Sequence, residues 1–189
     1  GAVLVIILSF GGYEFSKYIS YKNSETSSDQ YESALEALVN ENNNQAIEIF
    51  ESLLNESNGY SGLSLFNLAN IAIKEGKNNL ALDYLEKASK DKNLSKKIND
   101  FAILRSGYIM LNSFEISDIE EKLSGILNSG TPFSFYAKEI IALAYYRDNR
   151  FLESSEKFNE IANDAASPRN IASRSKIFSE QIASYDSVK

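Results

Sequence analysis

The chain contains no cysteine, no histidine and no tryptophan, and only two prolines and one methionine in 189 residues. Without cysteine there is no disulfide framework, and without either residue there is no zinc site with nitrogen or sulfur ligands and no Cys–His or Ser–His nucleophile. The missing cysteine fits an oxidising or a reducing compartment equally, and stability has to come from packing alone. With nine glycines beside the two prolines, chain breakers are scarce, and abundant Leu, Ile, Ala, Glu, Lys and Ser favour helix over strand. Positive charge is also short: 19 Lys and Arg against 26 Asp and Glu leave −7. Duplex binding needs clustered cations to neutralise phosphate, so nucleic acid is a poor partner. The nearest basic run, Lys90, Lys92, Lys96 and Lys97, is interrupted by Asp91 and reads as a solvated helix junction.

At 43% hydrophobic and 24% charged, the sequence has the side chains for a continuous core. Its first thirteen residues carry no charge, and the first charges are Glu14 and Lys17. A spanning helix needs about 20 apolar residues, so this run would cross a bilayer with roughly seven more upstream. Three readings meet it: a truncated transmembrane anchor over residues 1–22, the apolar region of a signal peptide, or a buried core helix. Tyr13, Tyr18 and Tyr21, interleaved with Lys17 and Lys22, resemble an interfacial aromatic belt with snorkelling lysines and favour the anchor. Ser9 and Gly11 are the small residues a cleavage site would use. Residues 23–29 are polar and read as a linker that ends in a helix N-cap at Ser28 or Asp29.

From residue 29 onward apolar residues recur at i, i+3, i+4 and i+7, and no alternating run is long enough for a strand. The pattern predicts helical pairs over 29–41 and 43–56, 61–75 and 78–90, 96–112 and 117–128, and 133–147 and 150–163, then a last helix from Pro168 to about 185. In the second helix of each pair a residue, small in three of the four, is followed by apolar ones four and seven places on. The sets are Ala46, Phe50, Leu53; Ala81, Leu85, Ala88; Ile119, Leu123, Ile126; and Ser154, Phe158, Ile161. Successive sets are 35, 38 and 35 residues apart, and the longer interval suggests an extended connection around Ser113 to Ser117. Small residues also recur in the first helices, at Ala69 and Ala142. Where antiparallel helices cross closely a large side chain would overpack by about 1–3 kcal/mol.

This pattern resembles the tetratricopeptide repeat, with its period of about 34 residues and its small residues at helix crossings. It departs at Ile119, where the small residue is lost, and no Trp or closing Pro appears. A generic helical bundle is the plainer alternative. The resemblance implies an all-α tetratricopeptide-type α-solenoid of about four hairpins over residues 30–189. Its last helix would be a cap with a polar exterior of Arg169, Arg174, Lys176 and Glu180. An anchor, a polar linker, divergent repeats and a cap, in that order, resemble the ancillary SecYEG translocon subunit family, the YfgM-like proteins. Thr131-Pro132-Phe133 through Ala137, Leu143-Ala144, Ala165-Ala166-Ser167-Pro168, Ala172 and Arg174 resemble its C-terminal half. That resemblance implies a single-pass protein of the bacterial inner membrane with its repeats in the periplasm. The implied partners are the Sec translocon and a prolyl-isomerase-like chaperone, and no catalytic residues are implied.

The residues nominate no catalytic, cofactor-binding or metal-binding site and no small-molecule substrate. Gly11-Gly12 lacks the lysine and strand of a phosphate loop, and Asp118, Glu120 and Glu121 complement a helix dipole. What the repeats offer is a groove lined by the first helix of each pair. The register nominates Phe66, Asn70 and Ile73, then Ile103, Gly107 and Met110, then Tyr136, Leu143 and Tyr146 as partner-binding candidates. Packing against the next repeat is the competing role for each. The expected partners are translocon or chaperone subunits, or another membrane complex.

Overall fold

A computed structural model describes residues 24–186, with side chains to 184. The expected anchor over residues 1–22 lies outside the described residues. Among those described, the chain is wholly helical and repeat-like, with no strand. Helix α1 covers residues 24–39. It is followed by α2 (Asn43–Leu53), α3 (Gly59–Lys74), α4 (Asn78–Lys90), α5 (Lys96–Met110), α6 (Ile116–Leu127), α7 (Phe133–Arg147), α8 (Phe151–Asn163) and α9 (Arg169–Asp186). No helix among the described residues is long and apolar enough to cross a membrane. The linker is corrected: 24–29 is helical, and neither Ser28 nor Asp29 caps a helix start. Ser27 is buried and its hydroxyl accepts from Asn58 Nδ2 at 2.9 Å, so this polar stretch has a tertiary partner that holds it.

The chain forms two compact units, one ending at Leu94 and the other starting at Ser95. In the first, α3 packs on α2 and α4. Tyr31 ties α1 to both neighbours, with its ring centroid 5.6 Å from Phe50 and 5.5 Å from Tyr60 and its hydroxyl accepting from Asn67 at 2.8 Å. In the second, α6 lies against α5 and α7, and α8 against α7 and α9. The first helices of this unit, α5, α7 and α9, also touch in that order.

All four predicted core sets are fully buried: Phe50, Leu85, Leu123 and Phe158 each show 0% exposure, as do the residues four places before and three places on. Burying one such side chain contributes about 1.5–3 kcal/mol. The crossing positions come in pairs twelve residues apart: Ala34 with Ala46, Ala69 with Ala81, Gly107 with Ile119, and Ala142 with Ser154. In the third pair glycine is matched with the larger Ile119. A Cβ added at Gly107 would stand 3.0 Å from Leu123 Cδ2 and 3.3 Å from Ile140 Cδ1, so glycine there leaves room for those two side chains. The third hairpin carries the longer connection expected near Ser113 to Ser117: five residues separate Met110 from Ile116, against three at the other hairpin turns, while Gly107 and Ile119 keep the twelve-residue spacing. In the fourth pair the Ser154 hydroxyl donates to the Ala142 carbonyl at 2.8 Å, so a polar atom at the crossing is satisfied.

The turns repeat as faithfully as the core. Glu41, Gly76 and Asn149 all sit in the left-handed region, at φ 61°, 73° and 59°. The N–H of the following residue closes a six-residue loop onto Ala37, Ala72 or Tyr145 at 2.8, 2.8 and 2.9 Å. The third hairpin does not use this turn. There α5 ends at Met110, and the Leu111 carbonyl accepts from Arg147 Nη1 at 2.9 Å. Helix α9 covers α8 and α7 as expected of a cap, but its exterior is not simply polar: Ile177 is 55% exposed, and Arg174 turns inward to Glu139.

The shared turn gives a stability test. A side chain in the left-handed region costs roughly 1 kcal/mol relative to glycine. Urea denaturation should find Glu41→Gly more stable by about that amount and Gly76→Glu less stable by a similar amount.

Candidate interaction surface

The second unit carries an apolar hollow of about 280 Å³ between α5 and α7. Residues spaced three and four apart bring Phe101, Leu104, Arg105 and Tyr108 to one side of α5, and Phe133 and Tyr136 face them from the start of α7. Leu104 is buried, whereas Phe101 and Tyr108 are exposed. Arg105 is half-buried, and burial holds its guanidinium below the usual arginine value.

Beside the hollow lies a charged centre that joins all three first helices. Glu139 on α7 is 4% exposed, and its carboxylate accepts both Nε and Nη2 of Arg174 on α9. The Tyr108 hydroxyl on α5 donates to Glu139 Oε2 at 3.4 Å. The Arg174 guanidinium also stands over the Tyr136 ring, 5.6 Å from its centroid. Burial, and then the Glu139 carboxylate, push the Tyr108 phenol up to about 12. The hydrogen bond from Arg174 to Glu139 raises the guanidinium further above its ordinary range. A two-pronged ion pair with a nearly buried carboxylate fixes the spacing of α7 and α9, and so steadies one wall of the hollow.

The nominated groove residues separate on this frame. Tyr136 lines the hollow. It and Leu143 also pack against the buried cluster that includes Phe135, Phe158 and Ile171, so both serve the core as well. Met110 and Gly107 are buried, and Gly107 is corrected from a groove position to a helix crossing. Ile103 is half-buried and is not part of the hollow. Tyr146 is 42% exposed and rests its ring on Phe151 at 5.4 Å. In the first unit Phe66 is half-buried, while Asn70 and Ile73 are exposed. The register missed Phe101, Leu104, Arg105, Tyr108 and Phe133. Its one available signal was Glu139, the lone carboxylate of a helix that is apolar apart from Ser134, Lys138 and Arg147.

The first unit has a wider, polar recess of about 490 Å³ lined in part by Asn55, Glu56, Ser61, Lys87 and Asp91. Its charges are of mixed sign. Among the described residues no group of three or more Asp and Glu is placed to hold a metal ion. Compared with protein-family models, with curated proteins and with solved structures, the chain matches none of them.

Two measurements probe the charged centre. Replacing Arg174 by methionine leaves the Glu139 carboxylate without its cation and should cost about 1–3 kcal/mol in urea denaturation. That is less than for a fully buried pair, because 38% of the Arg174 side chain faces solvent. The second is a pH dependence. The Tyr108 value in the fold lies above the ordinary 10.0, so its contribution is intact below pH 10 and is lost as pH rises towards about 12. Stability measured at stepped pH over that window should fall less steeply in Tyr108→Phe than in the parent.

Proposed function

We propose that this protein is an interaction scaffold of tetratricopeptide type, an α-solenoid akin to the ancillary Sec translocon subunits. It is tethered to the bacterial inner membrane by residues 1–22, with its repeats in the periplasm, and serves translocon and chaperone proteins there. The observation that carries this reading is the aromatic hollow on α5 and α7, beside the Arg174–Glu139 pair on a close-packed helical core. Aromatic side chains and arginine on a rigid support are the groups that anchor protein interfaces. The repeat type is supported by small residues at the helix crossings and by the common turn at Glu41, Gly76 and Asn149. The translocon assignment rests on the order of parts in the sequence and on the C-terminal segments quoted above.

A second reading, an accessory structural subunit of another membrane complex, is favoured by the charge-free run over residues 1–13, since such a subunit makes its main contact through the anchor. Photo-crosslinking in cells distinguishes the two. A crosslinking amino acid at Tyr108 or Tyr146 should capture translocon or chaperone subunits, while one at Leu152 on α8 should capture none of them. Capture confined to positions within residues 1–22 would overturn the scaffold reading in favour of the second.

A further inference from the structure

Charge in the second unit is sorted by helix. The first helices α5, α7 and α9 together hold eight Lys and Arg against four Asp and Glu, a balance of +4. The second helices α6 and α8 hold two Lys against six Asp and Glu, a balance of −4. In a chain of net charge −7, the two helices that bear the hollow, α5 and α7, hold five Lys and Arg against two Asp and Glu. Three of their four acids are already matched by cations on the same helices: Asp100 by Lys96 at 2.8 Å, Glu139 by Arg174, and Glu180 by Lys176 at 3.9 Å. The balance stays cationic after Arg147 pairs with Asp148 at 2.6 Å just past α7, and Arg105 lines the wall of the hollow itself.

We propose that α5, α7 and α9 dock an acidic segment of a partner protein, whose bulky apolar side chain seats among Phe101, Leu104, Tyr108, Phe133 and Tyr136. This rests on the scaffold reading and names the chemistry of its partner. A hollow of about 280 Å³ falls just below the size of ordinary small-molecule clefts and suits one large side chain. Its walls supply apolar and aromatic surface, and acidic residues flanking the seated side chain meet Arg105 on its wall. A short acidic segment senses this local field, since charges beyond about 10 Å are screened at ordinary ionic strength. A long polyphosphate would also meet the acidic remainder of the chain.

The test uses the full chain in mild detergent and a fluorescein-labelled peptide with a central phenylalanine flanked by glutamates and aspartates, followed by anisotropy. Binding should weaken about tenfold when the phenylalanine becomes serine, and by a similar factor with Arg105→Glu or Phe101→Ser in the protein. It should weaken further as salt is raised, and be lost when the flanks are changed to lysine. Lys157→Glu makes the same kind of charge reversal on α8 and should change affinity by less than about twofold. Circular dichroism of each variant confirms that it is folded. Equal binding of the acidic and basic peptides would overturn the proposal, as would an equal loss in Lys157→Glu and Arg105→Glu. Tighter binding of a single-stranded thymidine oligonucleotide than of the acidic peptide would overturn it in favour of nucleic acid. Crosslinks from Tyr108 to partners that lack an acidic segment would sink this inference while leaving the scaffold standing.

Discussion

Antiparallel helices can approach only as closely as the side chains between them allow, and in this protein one position per helix sets that limit. Ala34, Ala69, Gly107 and Ala142 fill it on the first helices and Ala46, Ala81, Ile119 and Ser154 on the second. Close approach brings Phe50, Leu85, Leu123 and Phe158 under complete cover, each contributing about 1.5–3 kcal/mol of burial energy. At the third crossing, glycine at 107 gives its volume to Leu123 and Ile140. Three of the four hairpins reverse the chain through the same left-handed turn, and the third keeps the spacing with a different, longer connection.

Much of this was legible in the amino-acid order. Period-35 recurrence of small and large residues located the hairpins, and α4 and α7 begin and end where the hydrophobic pattern puts them. The start of α1 was not legible, because Ser24 to Asp29 is polar and helical only through contacts made elsewhere, such as the one between Ser27 and Asn58. The interval of 38 was visible, and so was the longer connection of the third hairpin. A glycine at 107 reads as a groove residue until the atoms around it are known. The hollow escaped for a similar reason. Helical periodicity says which side of α5 is apolar, but not that Phe133 and Tyr136 stand opposite Phe101 and Tyr108. The pairing of Glu139 with Arg174, 35 residues on, belongs to tertiary structure, and no local spacing rule could supply it.

The Arg174–Glu139 pair places a costly group where an apolar one would pack more simply. An ion pair at a nearly buried carboxylate contributes little net stability, because both charges lose water in forming it. What it provides is direction. A forked guanidinium on a carboxylate accepts one relative placement of the two helices, whereas leucine against isoleucine accepts several. The phenol of Tyr108 extends the same constraint to α5. A wall that must hold its shape for a visiting side chain gains from this restriction, since a site that is already in place spares the visitor the cost of ordering it.

Nearly every helix in the described chain packs on the one just before or just after it in sequence. Each contact therefore closes a short loop, with a small entropic penalty, and needs nothing from the far end of the chain. Such a polypeptide can acquire its structure progressively as it is synthesised. A hairpin that has left the ribosome has most of its neighbours already present, and little apolar surface waits exposed for residues still to come.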